Sequence, residues 1–305
     1  MASLRSALLS AAPTPLDRLH LEAVEEAGAE LWLKREDLRD PLLGGNKWYK
    51  LQGHLQAAAG RRLLSFGGAW SNHLHALAAA GKRFGLETVG VVRGHQDSAM
   101  LADCCAFGMK LIPVDYGQYR RRDEADWVAT LQRDHGLEDC YVIPEGGGGA
   151  EGLVGFASLA AEIESLERPT IVAVAMGTGT TLAGLAAHLS PKCQIWGFPV
   201  LPLPEMQQKL AKWLAETPDA ATYRVWHDLV DQGYGRLTPE LRDFMGWFEC
   251  RHSIPLDPVY TVKLIWALNS LAKQGGIPRG SKIVALHSGG LQGRRGFALP
   301  AVQAA

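Results

Sequence analysis

Thr170-Ile171-Val172-Ala173-Val174-Ala175-Met176-Gly177-Thr178-Gly179-Thr180-Thr181 is the stretch that decides the fold. Its first half is a continuous apolar, β-branched run without polar alternation, as expected of a strand covered on both faces. Its second half is a glycine-rich turn opening a helical pattern that reaches His188. Strand, tight turn and helix make up half of a βαβ unit, the element from which parallel sheets are built. The turn has two readings. Glycines let the backbone approach an anion, and free N–H groups, the helix dipole and threonine hydroxyls then favour one. The same residues also suit a tight strand–helix turn that holds no ligand. The spacing is neither Gly-x-Gly-x-x-Gly nor that of a Walker loop, because no Gly-Lys-Ser/Thr follows.

Outward from this stretch the alternation repeats. Strand-like runs at Leu31–Leu33, Leu63–Phe66, Thr88–Val92, Leu111–Val114, Ile195–Phe198 and Ile283–Leu286 accompany Thr170–Ala175. Helical patterns fill the intervals at Lys47–Ala59, Ser71–Phe84, Ala99–Phe107, Glu124–His135, Gly152–Leu166, Thr181–His188 and Thr261–Lys273. Together they predict an α/β protein with open, twisted, mainly parallel sheets flanked by helices. Such sheets bind ligands beyond the carboxyl ends of their strands, so the glycine-rich junctions Gly67–Asn72, Glu145–Gly152 and Gly177–Thr181 are the places to look.

Bulk properties narrow the function. The chain has 305 residues, 47% of them hydrophobic, enough for one large domain or two modest ones. Its 31 basic and 32 acidic residues leave a net charge of -1 and no basic stripe for nucleic acid or an anionic membrane. The run Arg120-Arg121-Arg122, followed by Asp123 and Glu124, reads as a solvated helix start. Five cysteines, without metal-ligand spacing, suggest reduced thiols in the cytoplasm. No apolar run approaches the roughly 20 residues of a membrane span. Ala7-Leu8-Leu9 is short for a secretory segment and reads as a loose N-terminal arm, and the tail after Phe297 is expected to be poorly ordered.

Three segments carry candidate chemistry. In Gly44-Gly45-Asn46-Lys47-Trp48-Tyr49-Lys50, Asn46 is placed to cap a helix starting near Lys47. A lysine at the positive end of a helix dipole, if also desolvated, has the lowered pKa that an amine nucleophile needs. Lys50, one turn on, shares its face and can reach a phosphate, although solvated surface lysines are the commoner outcome of such spacing. In Gly67-Gly68-Ala69-Trp70-Ser71-Asn72-His73, Ser71 and Asn72 either cap a helix or hold a carboxylate with hydroxyl, amide and free N–H groups. His73 and His75 point to different helix faces, so no metal pair is expected. Pro144-Glu145-Gly146-Gly147-Gly148-Gly149 puts an acidic residue in a loop at the ligand end of the sheet, although an exposed Glu145 in a flexible turn is the preferred reading.

In order, Thr14-Pro15-Leu16-Asp17-Arg18-Leu19, Leu31–Leu38, Gly44–Leu51, Gly67–His73, Gly177–Gly184, Gly233-Tyr234-Gly235, Asp257–Tyr260 and His287–Gly290 resemble the fold-type II pyridoxal-phosphate enzymes. More narrowly, they are similar to the aminocyclopropane-carboxylate deaminase and D-cysteine desulfhydrase family, from about Pro13 to Gly290. The resemblance implies two tryptophan-synthase-β-like lobes, a small one at residues 50–155 and a large one from 1–49 with 156–305. It implies pyridoxal 5'-phosphate on Lys47 as a Schiff base, with Lys50 near the phosphate and Gly177, Thr178, Gly179, Thr180 and Thr181 as the phosphate loop. It also implies Asn72 at the ring hydroxyl and Ser288 at or beside the pyridine nitrogen. Ser71, Tyr234 and Tyr260 take catalytic roles, with Trp70, Ser71, Asn72, His73 and Thr261 around a small amino-acid substrate. A homodimer is implied too.

Family members that open the cyclopropane ring carry Glu and Leu where this chain has Thr261 and Ser288. The D-cysteine desulfhydrases have hydroxyl side chains there. A hydroxyl facing the pyridine nitrogen makes the ring a milder electron sink than a carboxylate would, which suffices to expel a good β-leaving group. The expectation is therefore β-elimination, with D-cysteine giving pyruvate, ammonia and sulfide. Ring-opening deamination, action on another D-amino acid, a non-catalytic sensor and a nucleotide-binding domain are the alternatives. Trp70 departs from the family's Gln and is expected to reshape the pocket, and a sensor would have it fill the substrate site. Tyr234 and Tyr260, taken without the resemblance, read rather as core aromatics with satisfied hydroxyls.

Overall fold

The computed structural model describes residues 12–166, 169–202, 206–215, 217, 219–227 and 233–299. The expected N-terminal arm and most of the C-terminal tail lie outside the described residues. Strands β1 (Leu16–Leu19), β2 (Glu30–Lys34), β7 (Ile171–Met176), β8 (Gln194–Pro199), β9 (Tyr223–Val225) and β10 (Lys282–Leu286) form one sheet in the order β1-β2-β10-β7-β8-β9. Strands β3 (Leu63–Gly68), β4 (Thr88–Arg93), β5 (Lys110–Val114) and β6 (Tyr141–Val142) form a second, in the order β5-β4-β3-β6. Every pairing is parallel except β1 with β2. The α/β reading with two mainly parallel sheets therefore holds.

Why the central strands form is visible in β7. Val172, Val174 and Met176 pack into one apolar cluster, while Ile171, Ala173 and Ala175 pack into another on the opposite face. A period of two with both faces apolar can only be satisfied between two layers. The strands that escape the sequence reading, β1, β6 and β9, lie at sheet edges, are short, and are largely half-exposed.

Four helices also escape it, at Glu22–Glu26, Tyr116–Arg120, Met206–Leu214 and Pro239–His252. The single helix expected over Gly152–Leu166 is instead two, Glu151–Val154 and Phe156–Leu166. The joint lies at Gly155, where a Cβ would stand 2.1 Å from the carbonyl oxygen of Tyr49. Gly53 is equally tight, 2.0 Å from the Glu151 carbonyl, so the helix Asn46–Ala58 lies backbone to backbone against this region.

A second restraint holds that helix. Tyr49 donates to Glu36 at 2.7 Å, and Glu36 is fully buried among Lys34 at 3.1 Å, Arg39 at 3.0 Å and Thr14 at 2.5 Å. Among the described residues, no helix is long and apolar enough to cross a membrane.

Candidate active site

A cavity of about 970 Å³ is lined by the segments that follow β3, β6, β7 and β10. β10, the last strand, lies between β2 and β7, so the loops that follow β7 and β10 are adjacent at the carboxyl edge of the sheet, where parallel sheets bind ligands.

Lys47 reaches this cavity because of Gly45. The helix starts at Asn46, with Gly45 before it at φ 69° and ψ -152° and no side-chain cap. A Cβ on Gly45 would fall 1.8 Å from the Ser288 carbonyl oxygen, so only glycine lets the chain pass the β10 loop and enter the helix. Asn46 therefore does not cap, contrary to the expectation. Its amide nitrogen donates instead to Thr181 Oγ1 at 2.8 Å, and its Oδ1 accepts from Lys47 Nζ at 2.9 Å. Burial lowers the Lys47 pKa from 10.5 to about 8, with the charge of Asp257 pulling the other way. Its basicity is lowered in the direction that the sequence anticipates, and its hydrogen bond to Asn46 orients it.

Lys50 is 3% exposed, and burial and then the charge of Lys47 hold its pKa well below the usual range. No carboxylate pairs with it among the described residues. Gly177, Thr178, Gly179 and Thr181 line the same cavity, and Gly179 adopts φ 80° at the turn. Thr180 does not line it; the residue is fully buried, with its hydroxyl 3.0 Å from that of Thr178.

Ser71 caps the helix Asn72–Phe84 by accepting from the Leu74 N–H at 3.2 Å, and both Ser71 and Asn72 line the cavity. Asn72 Oδ1 accepts from Gln292 Nε2 at 3.1 Å, leaving its NH₂ group available. Ser65 donates to the Ile143 carbonyl at 2.8 Å, so its oxygen accepts from His73 Nε2, also at 2.8 Å. His73 thus carries its proton on Nε2, and its buried Nδ1 is an unpartnered acceptor. Trp70 is 42% exposed and its indole lies over Gly296, where a Cβ would meet the ring at 3.2 Å. The indole forms part of the cavity rim without filling the interior.

Tyr234 and Tyr260 both line the cavity, their hydroxyls 3.4 Å apart. Burial, followed by the neighbouring Tyr234, raises the Tyr260 pKa well above its ordinary value, so its phenol keeps its proton. The Tyr260 ring also lies against Gly177, where a Cβ would meet it at 3.3 Å. Ser288 is half-buried on the cavity wall. Thr261 is not on that wall; it is fully buried, with an unpartnered hydroxyl.

Two features were not anticipated from the sequence. Glu145 is no free turn residue, because Tyr119 donates to it at 2.7 Å and Arg122 at 2.6 Å. That pairing also takes Arg122 out of the solvated run and onto the cavity wall. Asp257 is fully buried: Oδ1 accepts from the Val259 N–H at 3.1 Å and the Tyr260 N–H at 2.5 Å, while Oδ2 has no partner. Burial raises its pKa to about 7 despite those bonds. An Asp-Pro pair before a helix is a capping signal and foretells the Oδ1 half of this arrangement only.

These residues fit an anionic aldehyde cofactor. Lys47 and Lys50 line one cavity; burial and then the Lys47 charge lower the Lys50 pKa, and Lys50 has no carboxylate partner among the described residues. A buried ammonium needs an anion, and a phosphate at Lys50 beside the Lys47 amine meets that need. Among the described residues, no group of three His, Cys, Asp or Glu could hold a metal ion.

The chain matches the family model described as pyridoxal-phosphate dependent enzyme over residues 7–289. It is 31% identical over 290 residues to a candidate 1-aminocyclopropane-1-carboxylate deaminase of Pyrococcus horikoshii, covering 88% of this chain and 86% of that one. It is 29% identical over 306 residues to the D-cysteine desulfhydrase of Yersinia enterocolitica, covering 91% of each. The solved structure of an ACC deaminase homologue superposes with a TM-score of 0.77 at 28% identity, covering 96% of both chains. Diaminopropionate ammonia lyase of Escherichia coli, at 16% identity and a TM-score of 0.66 over 97% of this chain and 89% of that one, shares the fold. The chain belongs to the fold-type II pyridoxal-phosphate-dependent enzymes, in the family of the aminocyclopropane-carboxylate deaminases and D-cysteine desulfhydrases.

Proposed function

We propose that the enzyme catalyses β-elimination from a small amino acid, with D-cysteine the best candidate. The observation that carries this reading is the meeting of Lys47, the Tyr234–Tyr260 hydroxyl pair and Ser288 in one cavity. Pyridoxal phosphate, when bound, supplies the electron sink for the charge left after the α-proton departs. Lys47, Lys50 and the loop Gly177–Thr181 hold it, with Asn72 donating toward its ring hydroxyl and Ser288 placed at or beside its pyridine nitrogen.

The substrate carboxylate docks on Ser71, Asn72 and the N–H groups that begin the helix at Asn72. Trp70, at the rim, limits the pocket there and His73 lines it, whereas Thr261 lies off the cavity wall and takes no direct part. Lys47, whose basicity burial lowers so that a fraction of it is free amine near neutral pH, takes the α-proton. Tyr260, whose phenol stays protonated, donates a hydrogen bond to the departing thiolate, which takes its proton from solvent on the Tyr234 side of the cavity. The overall balance is cysteine plus water giving pyruvate, ammonia and hydrogen sulfide.

The holoenzyme supplied with D-cysteine is expected to release sulfide and pyruvate in equal amounts, with the visible absorbance of the cofactor changing on mixing. An unchanged spectrum and no sulfide would overturn the reading. The likeness to the Pyrococcus horikoshii protein supports a second reading, ring-opening of 1-aminocyclopropane-1-carboxylate. Release of 2-oxobutanoate from that compound, faster than sulfide from D-cysteine, would establish it instead.

The two-lobe division, 50–155 against 1–49 with 156–305, is supported by the confinement of the four-stranded sheet to residues 63–142. We place the protein in the cytoplasm as a homodimer, in keeping with five unpaired cysteines.

A further inference from the structure

Arg93 ends β4 and pairs in register with Gly68, so both residues stand at the carboxyl edge of the smaller sheet. A Cβ on Gly68 would lie 3.1 Å from Arg93 Nη2, which brings the guanidinium to the Gly68–Ser71 turn. Arg93 lines the cavity, yet no carboxylate and no hydrogen-bond acceptor pairs with it among the described residues. Its orientation comes from aromatic faces, with the guanidinium carbon 6.0 Å from the Tyr116 ring centre and 5.7 Å from that of Tyr119. Tyr119 is itself fixed by its bond to Glu145, and Glu145 is already matched by Arg122 at 2.6 Å.

The cavity lining carries six Lys or Arg side chains against two carboxylates, but burial lowers the basicity of Lys47 and Lys50, and Arg122 is matched by Glu145. Arg93, with no carboxylate of its own, is the cation that stands beside the Gly68–Ser71 turn.

We propose that Arg93 is the receptor for a second anionic group on a ligand of this site, so that among amino acids with the same chemistry at the α-carbon, those bearing a negative charge at or beyond the β-carbon bind more tightly than their neutral counterparts. The proposal deepens the β-elimination reading and rests on the same site. A planar guanidinium held open by aromatic rings suits a bidentate carboxylate or a similar oxyanion.

The test uses binding as well as turnover. Visible absorbance of the holoenzyme is titrated with aspartate against asparagine and glutamate against glutamine, each in both α-configurations, for wild type, Arg93→Gln and Arg93→Lys. Each pair matches in size and differs in charge. In at least one pair and configuration, the wild-type protein is expected to bind the acid about tenfold to a hundredfold more tightly than the amide. Arg93→Gln should remove that preference, and Arg93→Lys should retain part of it. Equal binding of acid and amide by wild type in every pair, or a preference that survives Arg93→Gln, overturns the proposal. So does an equal loss of acid and amide binding in Arg93→Gln, because Arg93 would then be holding the α-carboxylate. A separate D-cysteine assay on wild type decides the elimination chemistry, and its failure leaves the acid-to-amide ratio fully interpretable.

Discussion

Asn46 and Thr181, 135 residues apart in sequence, are joined by a 2.8 Å hydrogen bond from the Asn46 amide to the Thr181 hydroxyl. The bond ties the helix that carries Lys47 to the loop proposed to hold the cofactor phosphate. Because Asn46 Oδ1 also accepts from Lys47 Nζ, a single buried side chain sets the distance between amine and loop. Asn46→Ala is expected to cost about 1–3 kcal/mol of stability, the penalty for leaving a buried partner unsatisfied. It should also weaken cofactor binding, measured by titrating the apoprotein and following visible absorbance. Unchanged affinity in a folded variant would show that the two segments hold their spacing by packing alone.

The lowered basicity of Lys47 sets a pH dependence. Only the neutral amine attacks an aldehyde, so covalent capture of pyridoxal phosphate by the apoprotein should accelerate as pH rises through about 8 and level off above it. The Asp257 charge acts against the effect of burial, raising the Lys47 pKa. Asp257→Asn, which preserves the Oδ1 cap on Val259 and Tyr260, should therefore move the midpoint to lower pH. A midpoint that stays in place or rises would mean that the Asp257 carboxyl does not sense Lys47.

How much of this was legible in advance follows from what each residue depends on. The strands β7 and β10 could be read because a run buried on both faces has a local signature. Ser71 as a cap could be read for the same reason, since Leu74, its partner, is three residues away. Pro239–His252 was readable in principle, with Thr238 capping, Pro239 leading, and Leu241, Phe244, Met245 and Phe248 on one face. A scan for β-branched runs passes over it. Glu145 was misjudged because its partners Tyr119 and Arg122 lie 26 and 23 residues away and meet it only through the fold. The displacement of Asn46 from its capping role arises from the approach of the β10 loop, which no local pattern contains.

That approach can be tested by filling it. A Cβ at Gly45 would stand 1.8 Å from the Ser288 oxygen, in backbone geometry open essentially to glycine alone. Gly60, at φ 87°, has nothing within 4 Å and serves as the control. Gly60→Ala should cost only the backbone term of about 1–2 kcal/mol. Gly45→Ala should cost clearly more, because it adds a clash between two main chains, and should also shift the cofactor's visible spectrum by moving Lys47 and Ser288. Equal melting temperatures for the two variants would remove the close approach as the reason for glycine.

The Glu36 cluster should govern stability in acid. Burial pushes the Glu36 pKa up, but the bond from Arg39 and the charges of Lys34 and Arg39 outweigh it and hold the carboxyl below 4.5. A carboxyl whose folded pKa is depressed contributes stability above its unfolded pKa and loses it as pH falls through the folded value. Urea midpoints of the wild-type protein should therefore drop as pH goes below about 4.5, the unperturbed value. Glu36→Gln leaves Lys34 and Arg39 buried beside a neutral amide, and breaking a buried pair in this way costs about 3–5 kcal/mol at neutral pH. The variant should then show a shallower decline below about pH 4.5. If Glu36→Gln kept the wild-type acid slope, the loss of stability in acid would have to come from other carboxylates, and the bond from Tyr49 to Glu36 would be a packing contact without an electrostatic role.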